Sequence, residues 1–281
     1  MKVRLHESEL RTAALVLVGH GAADHAESLA TVCQHAAELQ RRGIFREVVI
    51  AFWKAEPKLA GVWARVTAAR VFVVPMFMSA GYCTEEAIPA ALGLTGRGGR
   101  ADAPAADGRL IHYCQPVGTH DLVVELVLKR AAEVVGRHPF PSAPRPADTS
   151  LFIVGHGTRR HGNSRKSVER LAELIGGRKL YAEVHAVFME EAPGVGEVYE
   201  LAATRNVVVV PCFMSDGGHV KVDIPVLLGE TEMDVRARLQ EGLPTWRNPT
   251  ERHGRRVWYS GSVGPEPSLV EIILERVREA L

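Results

Sequence analysis

The sequence has little cysteine and no closely spaced pair of cysteines. Its 281 residues include only Cys33, Cys83, Cys114 and Cys212, and none of these belongs to a C-x-x-C motif. A disulfide framework, a structural zinc site and a cysteine-ligated cluster are therefore not expected from this chain alone. The simplest location to predict from this cysteine usage is a reducing one, the cytoplasm.

The sequence also lacks a long apolar run and a strong net charge of either sign. Residues 1–7 contain no apolar core of signal-peptide length, and no later stretch approaches the length of a membrane span. The formal net charge of +1 creates no global field that would attract nucleic acid or a membrane surface. We therefore expect neither nucleic acid nor membrane as a partner of this ordinary globular chain.

The chain does contain an internal repeat. The segment Val18–Gly21 (Val-Gly-His-Gly) returns as Val154–Gly157, and the segment Val73–Ser79 returns in the same register as Val209–Ser215. Several matching blocks in one ungapped register indicate a duplicated domain. We predict an N-terminal domain at 1–137, a proline-rich linker at 138–149 and a C-terminal domain at 150–281, each domain within the usual size range.

Short apolar runs alternate with helical patterns in both halves. The predicted strands are 14–18, 48–52, 71–74 and 110–113, then 152–154, 184–188, 207–210 and 257–260, and helical patterns include 29–39, 168–175 and 195–203. Buried strands that alternate with helices predict an α/β fold with a parallel sheet flanked by helices in each half. A Val-Gly turn and a long amphipathic helix follow the fourth strand of each half. The loops 95–107 and 241–256 are predicted to be exposed, and the second half is about ten residues longer before its last block.

The two copies of the repeat differ at three positions that decide their chemistry. The second copy has His156, Glu190 and His219 where the first has His20, Lys54 and Cys83. Two imidazoles and a carboxylate can hold a divalent metal, whereas histidine, lysine and cysteine form a poor set for that purpose. Because each residue of the second set follows a predicted strand, and ligands of such sheets bind at the carboxyl ends of strands, one site is predicted there.

Each of these residues also has an explanation without chemistry. A Gly-His-Gly segment can be a tight turn with an incidental histidine, and Glu190, next to Glu191, can be a solvated surface acid. The glycine-rich segment before His219 can be an ordinary mobile loop. His20, with Lys54 and Cys83 as its neighbours in the set, is predicted to be a relic of the duplication or a hydrogen-bonded loop residue rather than a ligand.

Three segments of the second half resemble the class II tetrapyrrole chelatases. They are 153–159 (Ile-Val-Gly-His-Gly-Thr-Arg), 188–190 (Phe-Met-Glu) and 218–225 (Gly-His-Val-Lys-Val-Asp-Ile-Pro). This family includes the sirohydrochlorin cobaltochelatases and ferrochelatases of the CbiX/SirB type, and the resemblance covers nearly the whole chain. It implies ATP-independent insertion of Co²⁺ or Fe²⁺ into sirohydrochlorin or a related tetrapyrrole, in cobalamin or siroheme biosynthesis. It also implies two α/β halves around a cleft and no permanently bound cofactor.

The resemblance also implies roles for individual residues. His156, Glu190 and His219 match the metal-binding and proton-handling residues of the family, without deciding which histidine is the main proton acceptor. The first half departs from the pattern at Lys54 and Cys83, so its site is expected to be inactive.

The substrate of that family carries many carboxylates, so cations are expected around the site. The candidates for substrate binding are Arg159, Arg160, Arg165, Lys166 and Lys221, together with Asn163, which alternatively caps a helix that begins near Ser164. A solvated surface position is the alternative for each cation.

A non-catalytic carrier of a tetrapyrrole or a metal is the alternative function. A histidine phosphatase is unlike this chain, because Gly155 stands where that class has an arginine before the histidine. The sequence leaves open which metal is physiological, with Ni²⁺ as a further option, and which tetrapyrrole is the substrate. It also leaves open whether His20 binds anything and whether the protein is a monomer or a homodimer.

Overall fold

The computed structural model describes residues 7–21, 26–94, 103–104, 108–157 and 163–281. The strands are β1 Ala14–Gly19, β2 Glu47–Phe52, β3 Arg70–Pro75, β4 Ala103–Pro104, β5 Leu110–Tyr113, β6 Thr149–Gly155, β7 Glu183–Phe188, β8 Asn206–Pro211, β9 Thr250–Arg252 and β10 Arg255–Tyr259. The α-helices are α1 Glu7–Leu10, α2 Ala26–Arg42, α3 Ile88–Ala91, α4 Val123–Arg137, α5 Asn163–Gly177, α6 Val198–Leu201, α7 Ile224–Leu227, α8 Glu232–Gln240 and α9 Leu269–Glu279. Short 3₁₀ turns lie at Leu59–Arg65, Val117–Thr119, Pro146–Asp148 and Val195–Glu197, and π-helical turns at Cys83–Ala87 and His219–Asp223.

The strands form two sheets with the same topology. Their orders are β2-β1-β3-β5-β4 and β7-β6-β8-β10-β9, and only the outermost pair of each sheet is antiparallel. Every residue of β1 and of β6 is buried, as expected for a central strand that is covered on both faces. The predicted α/β fold with a parallel sheet in each half is confirmed. The helix predicted at 195–203 is shorter, because a 3₁₀ turn occupies its first residues.

The chain folds into two compact units that do not coincide with the two halves of the sequence. One unit contains residues 1–120 and 267–281, and the other contains residues 121–266. Helix α9 packs on α2 and β3 of the first unit, and α4 packs on α5 and β8 of the second. The predicted ranges 1–137, 138–149 and 150–281 place α4 with the first half and α9 with the second. The units differ because each of these helices buries its apolar face against the other sheet's unit.

A buried arginine anchors α9 to the first unit. Arg276 donates through Nε to the carbonyl of Pro116 at 3.1 Å and through Nη2 to the hydroxyl of Thr119 at 2.7 Å. Arg130 of α4 makes the corresponding contact in the second unit, donating through Nε to the carbonyl of Ser262 at 2.9 Å. Both arginines therefore join a helix to the loop that follows the fourth parallel strand of their unit.

Replacing Arg276 with methionine is expected to lower the free energy of unfolding by about 3 kcal/mol, because buried acceptors lose a charged donor. Urea denaturation of the full chain measures this change. The control is Arg278→Met on the same helix, because Arg278 is exposed and is paired only with Glu275 in the contacts we observe. We expect a change below about 0.5 kcal/mol for that control. Equal effects of the two substitutions would show that Arg276 is not an anchor.

The stretch 241–256 is more ordered than its composition predicted. It contains β9 and the start of β10, and the side chain of Trp246 in its middle is buried. The tryptophan packs in the core cluster of the second unit, which explains why this stretch is not an exposed loop throughout. The other loop predicted to be exposed, 95–107, lies outside the described residues except for β4.

The four cysteines are free thiols in the structure. Cys114 and Cys212 are buried, and burial raises the pKa of the Cys212 thiol to about 12. In the part of the chain that the structure describes, we find no helix with the length and apolar character needed to cross a membrane.

Candidate active site

The three residues predicted to form a site lie at one edge of the second sheet. His156 follows β6, Glu190 follows β7, and His219 begins the π-helical turn after β8. These strands are neighbours in the order β7-β6-β8-β10, where the connection from β6 runs to β7 on one side and the connection from β8 runs towards β10 on the other. The carboxyl ends of the strands at such a switch point form the usual ligand crevice of an open α/β sheet.

The structure brings these three side chains together. The Nε2 atom of His156 lies 3.7 Å from Oε1 of Glu190, and the rings of His156 and His219 have centroids 5.0 Å apart at an interplanar angle of 81°. Their side chains are 38%, 57% and 50% exposed, in the order His156, Glu190, His219, so a ligand can reach all three. Across the described ranges, no three His, Cys, Asp or Glu side chains are placed so that together they could hold a metal ion.

Both imidazole rings have their Nδ1 atom engaged by an oxygen acceptor. Nδ1 of His156 lies 2.9 Å from the carbonyl oxygen of Gly157, and Nδ1 of His219 lies 2.6 Å from Oδ2 of Asp223. Since a carbonyl or an ionised carboxylate can only accept, Nδ1 is the donor in each ring. In a neutral ring this arrangement puts the lone pair on Nε2, which is the nitrogen that can then bind a metal.

Asp223 is a functional candidate that the sequence reasoning did not assign. It belongs to the quoted segment 218–225, but its role depends on the π-helical turn that places it on the same face as His219, four residues earlier. Pro225 follows the turn closely, and a proline that lacks the backbone donor favours such a widened turn. The signal in the sequence was the spacing of a histidine and an aspartate ahead of Ile-Pro.

Replacing Asp223 with alanine is expected to weaken Co²⁺ binding by about 10- to 100-fold, because His219 loses the acceptor that orients its ring. The affinity of Asp223→Asn for Co²⁺ should lie between those of wild type and Asp223→Ala, because the amide oxygen of asparagine can still accept a hydrogen bond from His219. Anaerobic titration followed by the visible absorption of Co²⁺ measures both affinities. The first copy carries Ala87 at this position of the repeat, so we expect the fold to tolerate alanine. Unchanged Co²⁺ affinity in Asp223→Ala would contradict the orienting role.

The second glycine of the Gly-His-Gly segment allows the loops after β6 and β7 to pack closely. Gly157 has a φ of +67°, and a Cβ atom there would lie 2.7 Å from Cγ of Glu191 and 2.9 Å from Cβ of Phe188. The amide of Glu190 donates to the carbonyl of His156 at 3.1 Å. The loops after β6 and β7 are therefore held against each other, which keeps His156 and Glu190 close.

The predicted substrate-binding residues have different positions. Arg159 and Arg160 lie outside the described residues. Asn163 is the first described residue of α5, Lys166 is exposed on that helix, and Lys221 belongs to the same π-helical turn as His219.

Arg165 is engaged by its own unit. It donates to Glu169 and to the carbonyl of Ala192, both at 2.7 Å, and its guanidinium lies over the ring of Phe188. These contacts hold the arginine against the protein, and the two hydrogen bonds use its Nε and Nη1 groups.

The equivalent edge of the first unit has different chemistry. The ring of His20 packs edge to face against Trp53, with centroids 5.4 Å apart, and Nζ of Lys54 lies 4.1 Å from the centre of the Trp53 ring. Burial, and to a lesser extent Lys54, lowers the pKa of His20. Burial also raises the pKa of the Cys83 thiol, which favours the protonated thiol in the absence of a bound cation. An aromatic and cationic cluster thus replaces the His, Glu and His of the second unit.

Comparisons with known proteins agree with the repeated architecture. A family model described as CbiX matches residues 14–134 and, a second time, residues 150–280. A probable sirohydrochlorin cobaltochelatase of Halobacterium salinarum is 39% identical over 279 residues, which cover 95% of this chain and 91% of that protein.

The solved structures that are similar to this chain include the following two. One is a multi-domain protein of Deinococcus radiodurans with structural similarity to chelatases and two additional novel domains. It is 26% identical with a TM-score of 0.76, and the similarity covers 96% of this chain but 55% of that one, about half its length. The other is SirB from Bacillus subtilis with Fe³⁺, which is 19% identical with a TM-score of 0.69 and 95% coverage of both chains. At this identity the second similarity shows the fold alone.

Proposed function

This chain belongs to the CbiX family of chelatases, and we propose that it inserts Co²⁺ into sirohydrochlorin without ATP. The similarity to a halobacterial protein that is named as a cobaltochelatase supports the choice of metal and of macrocycle. We assign catalysis to the second copy of the repeat, at 150–281, and none to the first, at 1–137. The cytoplasm as its location, and a monomer or homodimer as its state, are predictions that accompany this proposal.

The observation that carries the proposal is the pair of imidazoles with fixed orientation beside a carboxylate. His156 and His219 each have Nδ1 engaged, and Glu190 lies 3.7 Å from the free nitrogen of His156. Imidazole is a good ligand for Co²⁺, and so few protein ligands leave positions open for the nitrogens of a macrocycle. A metal that is held in this way can be handed over.

Insertion of a divalent metal also requires the removal of two protons. The two pyrrole N–H groups of the macrocycle lose their protons as the dication enters, so the charge of the ring core is conserved. Glu190 is the carboxylate within reach of the metal-binding imidazoles, and we assign to it the role of proton acceptor or of shared ligand. Its exposed side chain can pass the protons to water.

The surrounding residues bind the carboxylates of the substrate in this proposal. Arg159, Arg160, Lys166 and Lys221 keep that role, and Asn163 can contribute a hydrogen bond from the start of α5. Arg165 keeps this role as well: its Nε and Nη1 groups hold it against Glu169 and Ala192, and its other N–H groups can donate to a carboxylate.

An anaerobic absorbance assay tests the proposed function. Metal-free sirohydrochlorin is mixed with Co²⁺, and in parallel with Fe²⁺ or Ni²⁺, with and without the purified full chain. We expect Co²⁺ insertion well above the uncatalysed rate without ATP. If the protein binds the macrocycle but the rate stays at the uncatalysed level, the chain is a carrier and the proposal is wrong. A faster reaction with Fe²⁺ than with Co²⁺ would show that the proposed metal is wrong and that the proposed reaction, metal insertion, is right.

A further inference from the structure

A cavity of about 550 Å³ lies in the second unit and shares the π-helical turn of the candidate active site. Val220 and Lys221 of that turn form one side, directly after His219 in the chain. The segment after α8 supplies Leu243 and Trp246, and the end of β10 supplies Tyr259. The volume is within the range of small-molecule sites.

The cavity lies at the same sheet edge as the metal-binding candidates. The three candidate residues follow β6, β7 and β8, whereas the cavity is lined by residues that follow β8 and β10, including Asp216 and Ser260. Adjacent strands are spaced by about 4.8 Å, so the cavity begins about one strand spacing from the candidate metal position. A tetrapyrrole that receives a metal at its centre must extend outwards by at least that distance.

The walls of the cavity combine carbon surface with the ammonium group of Lys221 and the carboxylate of Asp216. Trp246 and Tyr259 border the cavity as almost fully buried rings, and their polar groups are used inside the protein, because the indole N–H donates to the carbonyl of Val257 and the phenol donates to the carbonyl of Val220. The carboxylate of Asp216 accepts the amide N–H of Ser262 at 2.7 Å. Lys221 is the cation of this lining. Such a surface fits a ligand edge that carries methyl and methylene groups and ends in a carboxylate.

The cavity also depends on a stretch in which the two copies of the repeat differ. The second half is about ten residues longer than the first before its last strand. This stretch includes α8 and the segment with Leu243 and Trp246, both of which line the cavity or lead into it. The added residues therefore occur in the copy that carries the His, Glu and His set.

We propose that this cavity receives one carboxylate-bearing edge of the macrocycle, with Lys221 paired to a carboxylate and Leu243 against the carbon substituents. This inference rests on the proposed function. It names the part of the chain that selects the macrocycle by its periphery, separately from the residues that handle the metal.

The first test fills the cavity. Leu243→Trp adds bulk to an exposed lining residue, and Met233→Trp is the control, because Met233 is exposed on α8 and does not line the cavity. We measure the Kd for metal-free sirohydrochlorin by anaerobic absorbance titration, and KM and kcat for Co²⁺ insertion. Leu243→Trp should raise Kd and KM by about tenfold or more, while kcat and the affinity for Co²⁺ alone stay the same. Met233→Trp should behave as wild type.

The second test concerns the charge of Lys221. Lys221→Gln should raise the KM for sirohydrochlorin by about tenfold, because the carboxylate loses a charged donor. Lys221→Arg keeps a charged donor, so its KM should stay close to that of wild type. With the methyl ester of the macrocycle, wild type and Lys221→Gln should have equal KM values.

The outcomes separate this inference from the function on which it rests. If wild type inserts Co²⁺ but Leu243→Trp and Lys221→Gln both retain its KM, the cavity does not receive the macrocycle and the proposed function stands. If wild type neither binds nor metallates sirohydrochlorin, the proposed function fails and this inference fails with it.

Discussion

Replacing His219 with alanine is expected to slow Co²⁺ insertion into sirohydrochlorin by more than about 100-fold, because loss of a direct ligand should exceed the loss of a residue that only orients one. His219 is half exposed, and the first copy of the repeat carries Cys83 at this position, so the fold does not require the imidazole. The free energy of unfolding should therefore change by less than about 0.5 kcal/mol. Anaerobic initial rates, with urea denaturation of the same samples, measure both quantities.

The control for this substitution is His20→Ala in the first copy. His20 packs against Trp53 and has Lys54 and Cys83 as the counterparts of Glu190 and His219. We expect its insertion rate to stay within about twofold of wild type, since this cluster lacks a carboxylate and a second imidazole. A large loss in His20→Ala together with a small loss in His219→Ala would place the reaction in the first unit and reverse our assignment.

Replacing Gly264 with alanine is expected to impair metal binding from a position that touches no metal ligand. A Cβ atom there would lie 2.0 Å from the carbonyl oxygen of Met214. The obstacle is backbone, so the loop that leads from Met214 to His219 must shift. A displacement of about 1 Å at a reacting group can cost about 100-fold in rate, and we expect at least a tenfold loss of Co²⁺ affinity. Overpacking should also destabilise the chain by about 2 kcal/mol.

Gly118→Ala is the matched control, because Gly118 holds the same place in the first unit. Its Cβ atom would lie 2.1 Å from Cα of Met78, which is as close an approach. We expect a similar loss of stability with wild-type affinity for Co²⁺, measured by urea denaturation and by Co²⁺ titration. If both variants lose stability and both keep their metal affinity, the loop after β8 does not position His219.

Much of the fold could be predicted from the sequence, because strands buried on both faces appear as continuous apolar runs. The runs at 14–18 and 152–154 lie within β1 and β6, and the matching registers around them predicted two similar sheets. The assignment of α4 and α9 to units could not be predicted in the same way. An amphipathic pattern shows that a helix has an apolar face, but it does not show which of two similar sheets that face covers.

The candidate site was predictable to the extent that it lies at strand ends. The positions of His156, Glu190 and His219 after three successive parallel strands predicted that they meet at one sheet edge, and the structure brings them together. The pairing of His219 with Asp223 depends on local helix geometry, and the engagement of Arg165 by Glu169 depends on rotamers. The pairing of Arg165 with Glu169 has no signal in residue order that separates it from an ordinary surface helix, and the signal for Asp223 is limited to its spacing from His219 ahead of Ile-Pro.

The central claim is that the second copy of the repeat holds the metal and the first does not. Crystals soaked with Co²⁺ under anaerobic conditions, with anomalous scattering measured at the cobalt edge, test this claim directly. The account predicts one strong peak about 2 Å from Nε2 of both His156 and His219, near Glu190, and none beside His20. A cobalt peak at His20 and Cys83, with no cobalt at His156 and His219, would contradict it.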